Sequence, residues 1–478
     1  MRCMRKLNRW KQQRQALYGL ALLLMGPVML FGQAPSYLGT KTPYVSAGVH
    51  QTPPPEGFQP VFINYVGRHG ARYMTKAGAD IDALKVLDAA ERVAGLTGAG
   101  QRVRVLVKAI CDAEKGHYEN ITLLGAAEQK AIGKRIFDQY NPALKGKGVE
   151  VVVTYKLRTQ QSADAFLAGW SGYKVPETFS KLPDSLDAVL RFYDLSPAYQ
   201  AYKKSPALKM AFDSLDRDRR TLRAAAAVAE RLFTPVFRSQ LKAEEELRFT
   251  ANLYDVYSVE FSLTEELSSK DKTGLGIAFS QSELEWEAFR SGAQDFLEKG
   301  PGHDPLGIQV KVAAPLLAEF VRSTDRATGE LTGAGGPTVP DTATHARPDA
   351  AGRTTPDAAD RTTPDAILRF THAEAISPFA TLLGIPEASV PSASIYDYRG
   401  HWQAEKIIPL SANIQWIIYR NGKDYRVKVL LNEREVYLPL AGGPYYRWPD
   451  LRAWCLSRLK QVQADVQGDM LGYLKQLR

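Results

Sequence analysis

Three short segments, "PVFINYV" (60–66), "VEVVVTY" (149–155) and "ILRFTHA" (367–373), constrain the fold of this 478-residue chain more than any other feature. Each is nearly continuously apolar and rich in Val, Ile and Phe. A strand with one wet face alternates apolar and polar residues, whereas a strand buried on both faces does not. Helical patterns lie between them: "GADIDALKVLDAAERVAGL" and "AEQKAIGKRIFDQY" separate the first two, and "EAISPFATLLG" follows the third. Such alternation predicts an α/β fold with a mostly parallel central sheet and helices on both faces. Towards the C-terminus, "NIQWIIYRNG" and "YRVKVLLNEREVYLPL" read as a β-hairpin completing the sheet, with a helix after it.

The span 176–304 has a different pattern. Leu222, Ala226, Ala229 and Phe233 recur at helical spacing, "SQSELEWEAFRSGAQDFLEKG" is also helical, and strand candidates are few. It is expected to be a mainly α-helical cap inserted between two parts of the α/β core, 34–175 and 305–478. Within the second part, 326–365 carries a repeated "RTTPDAAD" unit with almost no large apolar side chain. A stretch of that composition buries too little surface to offset its ordering entropy, so a surface loop is expected there.

The first 33 residues fit a secretory signal peptide. Arg2, Arg5, Lys6, Arg9, Lys11 and Arg14 precede the short apolar run "ALYGLALLLMGPVMLFG", which Pro27 interrupts. The expected mature protein is exported, periplasmic or secreted, with no membrane association after cleavage. Taking those six basic residues from 61 leaves 55 against 52 acids, a balance of only +3. The basic character resides largely in the leader, so no nucleic-acid partner is indicated. Beyond the leader only Cys111 and Cys455 remain, enough for one disulfide but too few for a zinc site made of cysteines.

Polar residues capable of chemistry follow each of the three apolar strands. Arg68, His69 and Arg72 follow the first in "RHGAR"; Arg158 follows the second; His372 and Glu374 follow the third in "THAEA". In open α/β sheets the carboxyl ends of parallel strands are where ligands bind. Arginine forks match phosphate oxygens and compensate the charge of a phosphoryl transition state. A neutral imidazole can attack phosphorus, and a carboxylic acid can protonate the departing alkoxide. This assigns His69 as nucleophile, Glu374 as acid, and Arg68, Arg72, Arg158 and His372 as phosphate ligands.

The segments "RHGARYMT", "RTQQSADAFLAG" and "THAEA" resemble the histidine acid phosphatases, and the His-Ala-Glu form is similar to the multiple inositol polyphosphate phosphatase and phytase-like branch. "YLGTKTPY", "LLGAAEQKAIGKRI", "EKGPG" and "IIPLSANIQWIIY" extend the resemblance over about 37–440. It implies a phosphohistidine intermediate on His69 and an inositol polyphosphate such as phytate as the small-molecule substrate; the remaining histidines form no ligand spacing, so no metal is expected, nor a cofactor. Two departures stand out. Met74 occupies a position usually held by proline, which is expected to loosen the turn. Glu374 stands one residue beyond the usual aspartate.

Competing chemistries lack their residues. No Pro-Cys-x-x-Cys accompanies the His-x-Glu, and there is no His-Glu-x-x-His, P-loop or Gly-x-Ser-x-Gly. The remaining alternatives are a broad acid phosphatase for sugar phosphates or nucleotides, and a non-catalytic phosphate-binding relative.

Overall fold

The computed structural model describes residues 37–46, 48, 51–170, 177–267, 274–330 and 363–478. The leader at 1–33 and positions 331–362 of the repeat lie outside the described residues. Among the described residues, eight strands form one sheet: β1 Gln59–Arg68, β2 Val149–Val153, β3 Glu177–Ser180, β4 Ala366–Thr371, β5 Asn413–Asn421, β6 Asp424–Leu431, β7 Arg434–Glu435 and β8 Tyr445–Arg447. Their order is β3-β2-β4-β1-β5-β6-β7, with β8 beside β6. The neighbours from β3 to β1 pair in parallel and the others antiparallel, so the sheet is mixed. The antiparallel half follows from local chemistry. Asn421 pairs with Asp424 across a tight turn whose Gly422 takes φ +58°, and so short a connection can join only antiparallel strands.

The helices that pack on this sheet or stand above its edge include α1 Ala79–Arg92, α2 Gly98–Glu114, α3 Leu123–Tyr140, α4 Leu157–Leu167, α5 Arg219–Leu232, α6 Ala243–Glu260, α7 Gln281–Glu298, α8 Ala314–Thr328, α9 Ala373–Leu383 and α10 Trp448–Gln461. The continuous apolar strands are explained by coverage of both faces. Ile63 and Tyr65 of β1 pack with Ile132 and Ile136 of α3 and Phe166 of α4. Phe62 and Val66 of the same strand meet the opposite layer, with Leu317 and Phe320 of α8, Phe379 of α9 and Leu451 of α10. The two-residue period of a strand sends alternate side chains to the two layers, and both are dry.

A third core is wholly helical. Leu87 of α1, Val103 and Val107 of α2, Val228 and Leu232 of α5, and Phe249 and Leu253 of α6 share it. The helical layer is therefore built from two stretches of chain, and α1 and α2 belong to it although they lie before 176. The first residues of the expected helical span, Glu177–Ser180, are a sheet strand instead. In α5 the buried face is Thr221, Ala225, Val228, Ala229 and Leu232, while Leu222 is 47 % exposed. The apolar run spans more of the helix circumference than the packed face, so helical spacing does not by itself fix which apolar residues are buried.

Residues 326–328, assigned to the loop by composition, continue α8 until Gly329 ends it in the left-handed conformation. At the far end of the repeat Asp365 is buried and accepts hydrogen bonds from the Lys145 and Lys147 amides at 2.7 and 2.9 Å. Cys111 and Cys455 are free and sit in separate cores, so they do not pair. Among the described residues, no helix is long and apolar enough to cross a membrane.

Beneath the sheet a polar network ties β1, β4 and α8 together. Arg369 donates to Asn64 Oδ1 at 2.6 Å and to Glu319 Oε1 at 3.0 Å, while Asn64 Nδ2 donates to Ser323. Burial alone would raise the Glu319 carboxyl, but Arg369, Arg326 and Arg322 hold it at about 2. A depressed carboxyl stabilises the fold above its ordinary value of 4.5 and loses that contribution as pH falls towards 2. Glu319→Ala strands a nearly inaccessible guanidinium, and a loss of about 3–5 kcal/mol is expected in urea unfolding at pH 7. Glu319→Gln, which keeps an acceptor, should lose less.

Candidate active site

Strand register brings the distant segments together. Arg68 lies opposite Thr371, and Val153 opposite Phe370. The next residues along each strand, His69, Thr154 and His372, emerge side by side at the carboxyl edge. The two imidazoles approach edge-on with ring centroids 5.4 Å apart. Two helices start there as well: Arg158 is in the first turn of α4, and His372 caps α9 with Glu374 in its first turn. Helix N-termini carry partial positive charge and free amides, which favour an anion.

His69 is held by the strands on both sides. Its amide donates to Thr371 O and its carbonyl accepts from Ser411 N, each at 3.0 Å. Nδ1 lies 2.9 Å from Gly70 O. A carbonyl can only accept, so Nδ1 carries the proton and Nε2 presents a lone pair. Burial, then Arg68, Arg158, His372 and Arg72, push this imidazole well below its usual range and keep it neutral.

The loop after β1 is clamped by α3. A Cβ on Gly70 would fall 2.5 Å from Gly125 O, and one on Gly125 2.0 Å from Ala71 O, so both glycines are required by the close approach. Glu128 accepts from Ala71 N at 3.0 Å and from Ser411 Oγ at 2.7 Å, and Gln129 Nε2 donates to Arg68 O at 2.9 Å. Gly70 N donates to Ser162 Oγ, linking the loop to α4.

Met74 does not loosen this turn. Its amide donates to both oxygens of Glu114, at 3.0 and 2.8 Å, a contact that proline cannot make. Glu114 is fully buried, and burial pushes it up to about 7. The rigidity proline supplies through its ring comes here from a hydrogen bond to α2.

The structure brings all six sequence-predicted residues to this edge. Arg68 Nη1 donates to Thr40 O and Ile408 O at 2.6 and 2.7 Å, and Arg72 Nη1 to Tyr73 O at 2.7 Å. Arg158 Nη1 is 3.5 Å from Glu119 Oε1. The buried Nε atoms of Arg68, Arg72 and Arg158, together with Arg158 Nη1 and His372 Nδ1, have no hydrogen-bond partner among the described residues. Buried donors are normally satisfied, so this cluster marks a place for acceptor oxygens. Burial pushes Arg68 and Arg72 down to about 10, still cationic at any working pH.

His372 Nε2 lies 3.1 Å from Thr154 Oγ1, which is 3.0 Å from Thr159 Oγ1. That contact fixes the ring through Nε2 and leaves Nδ1 as the nitrogen open to a ligand. Burial, followed by Arg158 and Arg191, pushes the His372 imidazole well below its usual range. Glu374 is 38 % exposed, with Oε1 3.4 Å from Lys299 Nζ. Burial alone would raise its carboxyl; Lys299, its own backbone and Arg68 together hold it well below the carboxylate range.

Two cations at the site escaped sequence reasoning. Arg191 stacks against Tyr155 and Tyr193, each at 4.9 Å, and donates to Tyr193 Oη at 2.7 Å. Lys299 ion-pairs with Asp295 at 2.9 Å as well as with Glu374. Neither follows an apolar strand; only the short "EKGPG" similarity touched Lys299. Among the described residues, no group of three or more His, Cys, Asp or Glu is placed to hold a metal ion.

A neutral imidazole with a free Nε2 amid guanidinium groups, on a mixed α/β sheet, is the site of a phosphate-ester hydrolase. The sequence pattern of the histidine phosphatase superfamily (branch 2) matches residues 61–432, and the chain belongs to this family, the histidine acid phosphatases. The fold is similar to the Bifidobacterium longum multiple inositol polyphosphate phosphatase solved with inositol hexasulfate, at TM-score 0.70 and 21 % identity over 87 % of this chain and 97 % of that one. Its phosphate complex gives TM-score 0.72 at 20 % identity over 88 % and 97 %. The D. castellii phytase gives TM-score 0.61 at 14 % identity over 90 % and 87 %. No curated protein matches the chain.

Met74→Pro should be damaging here, although proline is usual in the motif. It removes the donor that the two Glu114 oxygens share at this turn, and a stability loss of about 1–3 kcal/mol is expected by thermal or urea unfolding.

Proposed function

We propose that this chain is an exported phosphomonoesterase that hydrolyses inositol polyphosphates, with phytate as substrate, through a phosphohistidine on His69. The observation that carries the reading is the His69 tautomer: a lone pair on Nε2, surrounded by buried arginine donors that lack partners. Nε2 attacks phosphorus, the phosphorus–oxygen ester bond breaks, and the departing alkoxide takes the proton of Glu374. Water then attacks the phosphohistidine, gives its proton to the Glu374 carboxylate, and inorganic phosphate leaves with Nε2 restored. Arg68, Arg72, Arg158 and His372 hold the phosphoryl oxygens throughout, which compensates the charge spread over them. No step requires a metal.

A polyphosphate suits the site because Arg191 and Lys156 add cations beside the scissile position, each ion-paired with a rim carboxylate, Asp194 and Glu119. The faces of Tyr155 and Tyr193 are covered by the Arg191 guanidinium, which favours an anion over a bare aromatic leaving group. The solved relatives include one described with inositol hexasulfate, and the basic leader supports export to the periplasm or medium.

Phosphate release from phytate is expected to survive EDTA and to fall by about 10³-fold or more in His69→Ala. Release that needs a divalent cation, or that persists in the variant, would refute histidine chemistry. Turnover of a small aryl phosphate without phytate would keep the mechanism and move the substrate to the broad acid phosphatases. Neither turnover would leave phosphate binding alone.

The pH profile follows from the two shifts. His69 is pushed down, so it stays neutral into acidic solution, whereas Glu374 is protonated only where pH is low or bound phosphate raises it. Activity should be bell-shaped, highest on the acidic side and falling through neutral pH, as read from initial rates between pH 3 and 9.

A further inference from the structure

The acid of this mechanism is held by a residue that touches no reacting atom. Lys299 directly follows α7, where the helix C-terminus favours a cation. Its Nζ lies 2.9 Å from Asp295 Oδ1, one turn back on the same helix, and 3.4 Å from Glu374 Oε1 at the start of α9. Lys299 and Asp295 are each only 12 % exposed, whereas Glu374 is 38 % exposed. A buried ion pair thus faces a more open carboxylate at the mouth of the phosphate site.

We propose that Lys299 is a positioning residue for the proton donor: its ammonium fixes the Glu374 carboxyl and makes its protonation depend on the anion that binds. This rests on the reading of Glu374 as the acid. An ammonium has donors and no acceptor, so the oxygen facing Lys299 must remain an acceptor. The proton is therefore confined to Oε2, and the carboxyl enters the reaction with one defined donor oxygen.

The other groups facing Glu374 are Arg68, His69 and Arg72 from the loop after β1, Arg158 from α4, and Arg191, Tyr193, Asp194 and Tyr199 from the segment beyond β3. Asp194 is engaged with Arg191, and Asp295 with Lys299. Without an anion the balance around Glu374 is cationic, and the carboxylate is the stable form. A phosphate dianion draws the guanidinium charge and adds negative charge beside the carboxylate, both of which favour its protonation. The acid is armed by the substrate it must serve.

The test uses two substrates that differ in need of a proton. Glycerol phosphate leaves as an alkoxide and requires the acid; nitrophenyl phosphate leaves as a stabilised phenolate and does not. In Lys299→Met, the alkaline limb of single-turnover glycerol release should move up by about one pH unit, because a neighbouring cation no longer favours the carboxylate. The nitrophenyl phosphate profile should stay in place, and Lys299→Arg should keep the wild-type limb. Asp295→Asn frees Lys299 to act on Glu374 alone and should move the limb down; it also serves if Lys299→Met does not fold. Equal losses on both substrates, or an unmoved limb in Lys299→Met and Asp295→Asn, would overturn the proposal. Glu374→Gln separates the two readings. Read on the first step alone, as single-turnover release of the alcohol or phenolate, its loss should fall mainly on glycerol phosphate; if that step is slowed equally on both substrates, the assignment of the acid itself fails.

Discussion

Four guanidinium groups and two imidazoles crowd the edge where β1, β4 and β2 end, and their mutual repulsion is the constraint the surrounding structure accommodates. Arg68, Arg72 and Arg158 each disfavour charge on His69 and His372, so the site holds neutral imidazoles beside obligatory cations. That is the ionisation a nucleophilic histidine needs. Like charges this close persist only if something holds them, and here the backbone does: Thr40, Ile408 and Tyr73 carbonyls accept from the arginines. The carboxylates Glu119, Asp194 and Glu374 stand around the rim and leave the centre positive.

The rigidity of the loop after β1 is imposed from three directions. Neighbouring strands grip the His69 backbone, α3 presses on Gly70 and Ala71, and α2 supplies the buried Glu114 that binds Met74. Each contact holds main-chain groups of the loop, in two cases through the buried carboxylates of Glu128 and Glu114. The loop geometry depends on close approach and backbone bonding, while most core positions need only an apolar side chain of suitable volume.

The helical layer has an analogous logic. Helices α1 and α2 precede β2 in sequence yet share their core with α5 and α6, which lie beyond β3. The two stretches meet in one core, and α7 spans both layers, with Leu284 and Ala288 in the helical core and Phe296 in the sheet core. Because α7 ends beside α9, the join between layers delivers Lys299 to Glu374.

Much of this was legible in the chain itself. Continuous apolar runs announced strands covered on both faces, because alternation is absent only when neither face is wet. His69, Arg68, Arg72, Arg158, His372 and Glu374 could be picked out because each lies within a few residues of such a strand, and parallel strands end at a common edge. What depended on contacts between distant segments was not. Met74 looked like a weakened turn because Glu114, forty residues on, is its partner. The spacing of Leu222 showed a helix's apolar arc but not which part of it a neighbour covers, and Leu222 is exposed. Arg191 and Lys299 follow no strand and belong to no spacing pattern. Their place at the site, and the ionisation of Glu374 with it, was decided by tertiary structure, since electrostatic coupling depends on separation in space and periodicity only on order along the chain.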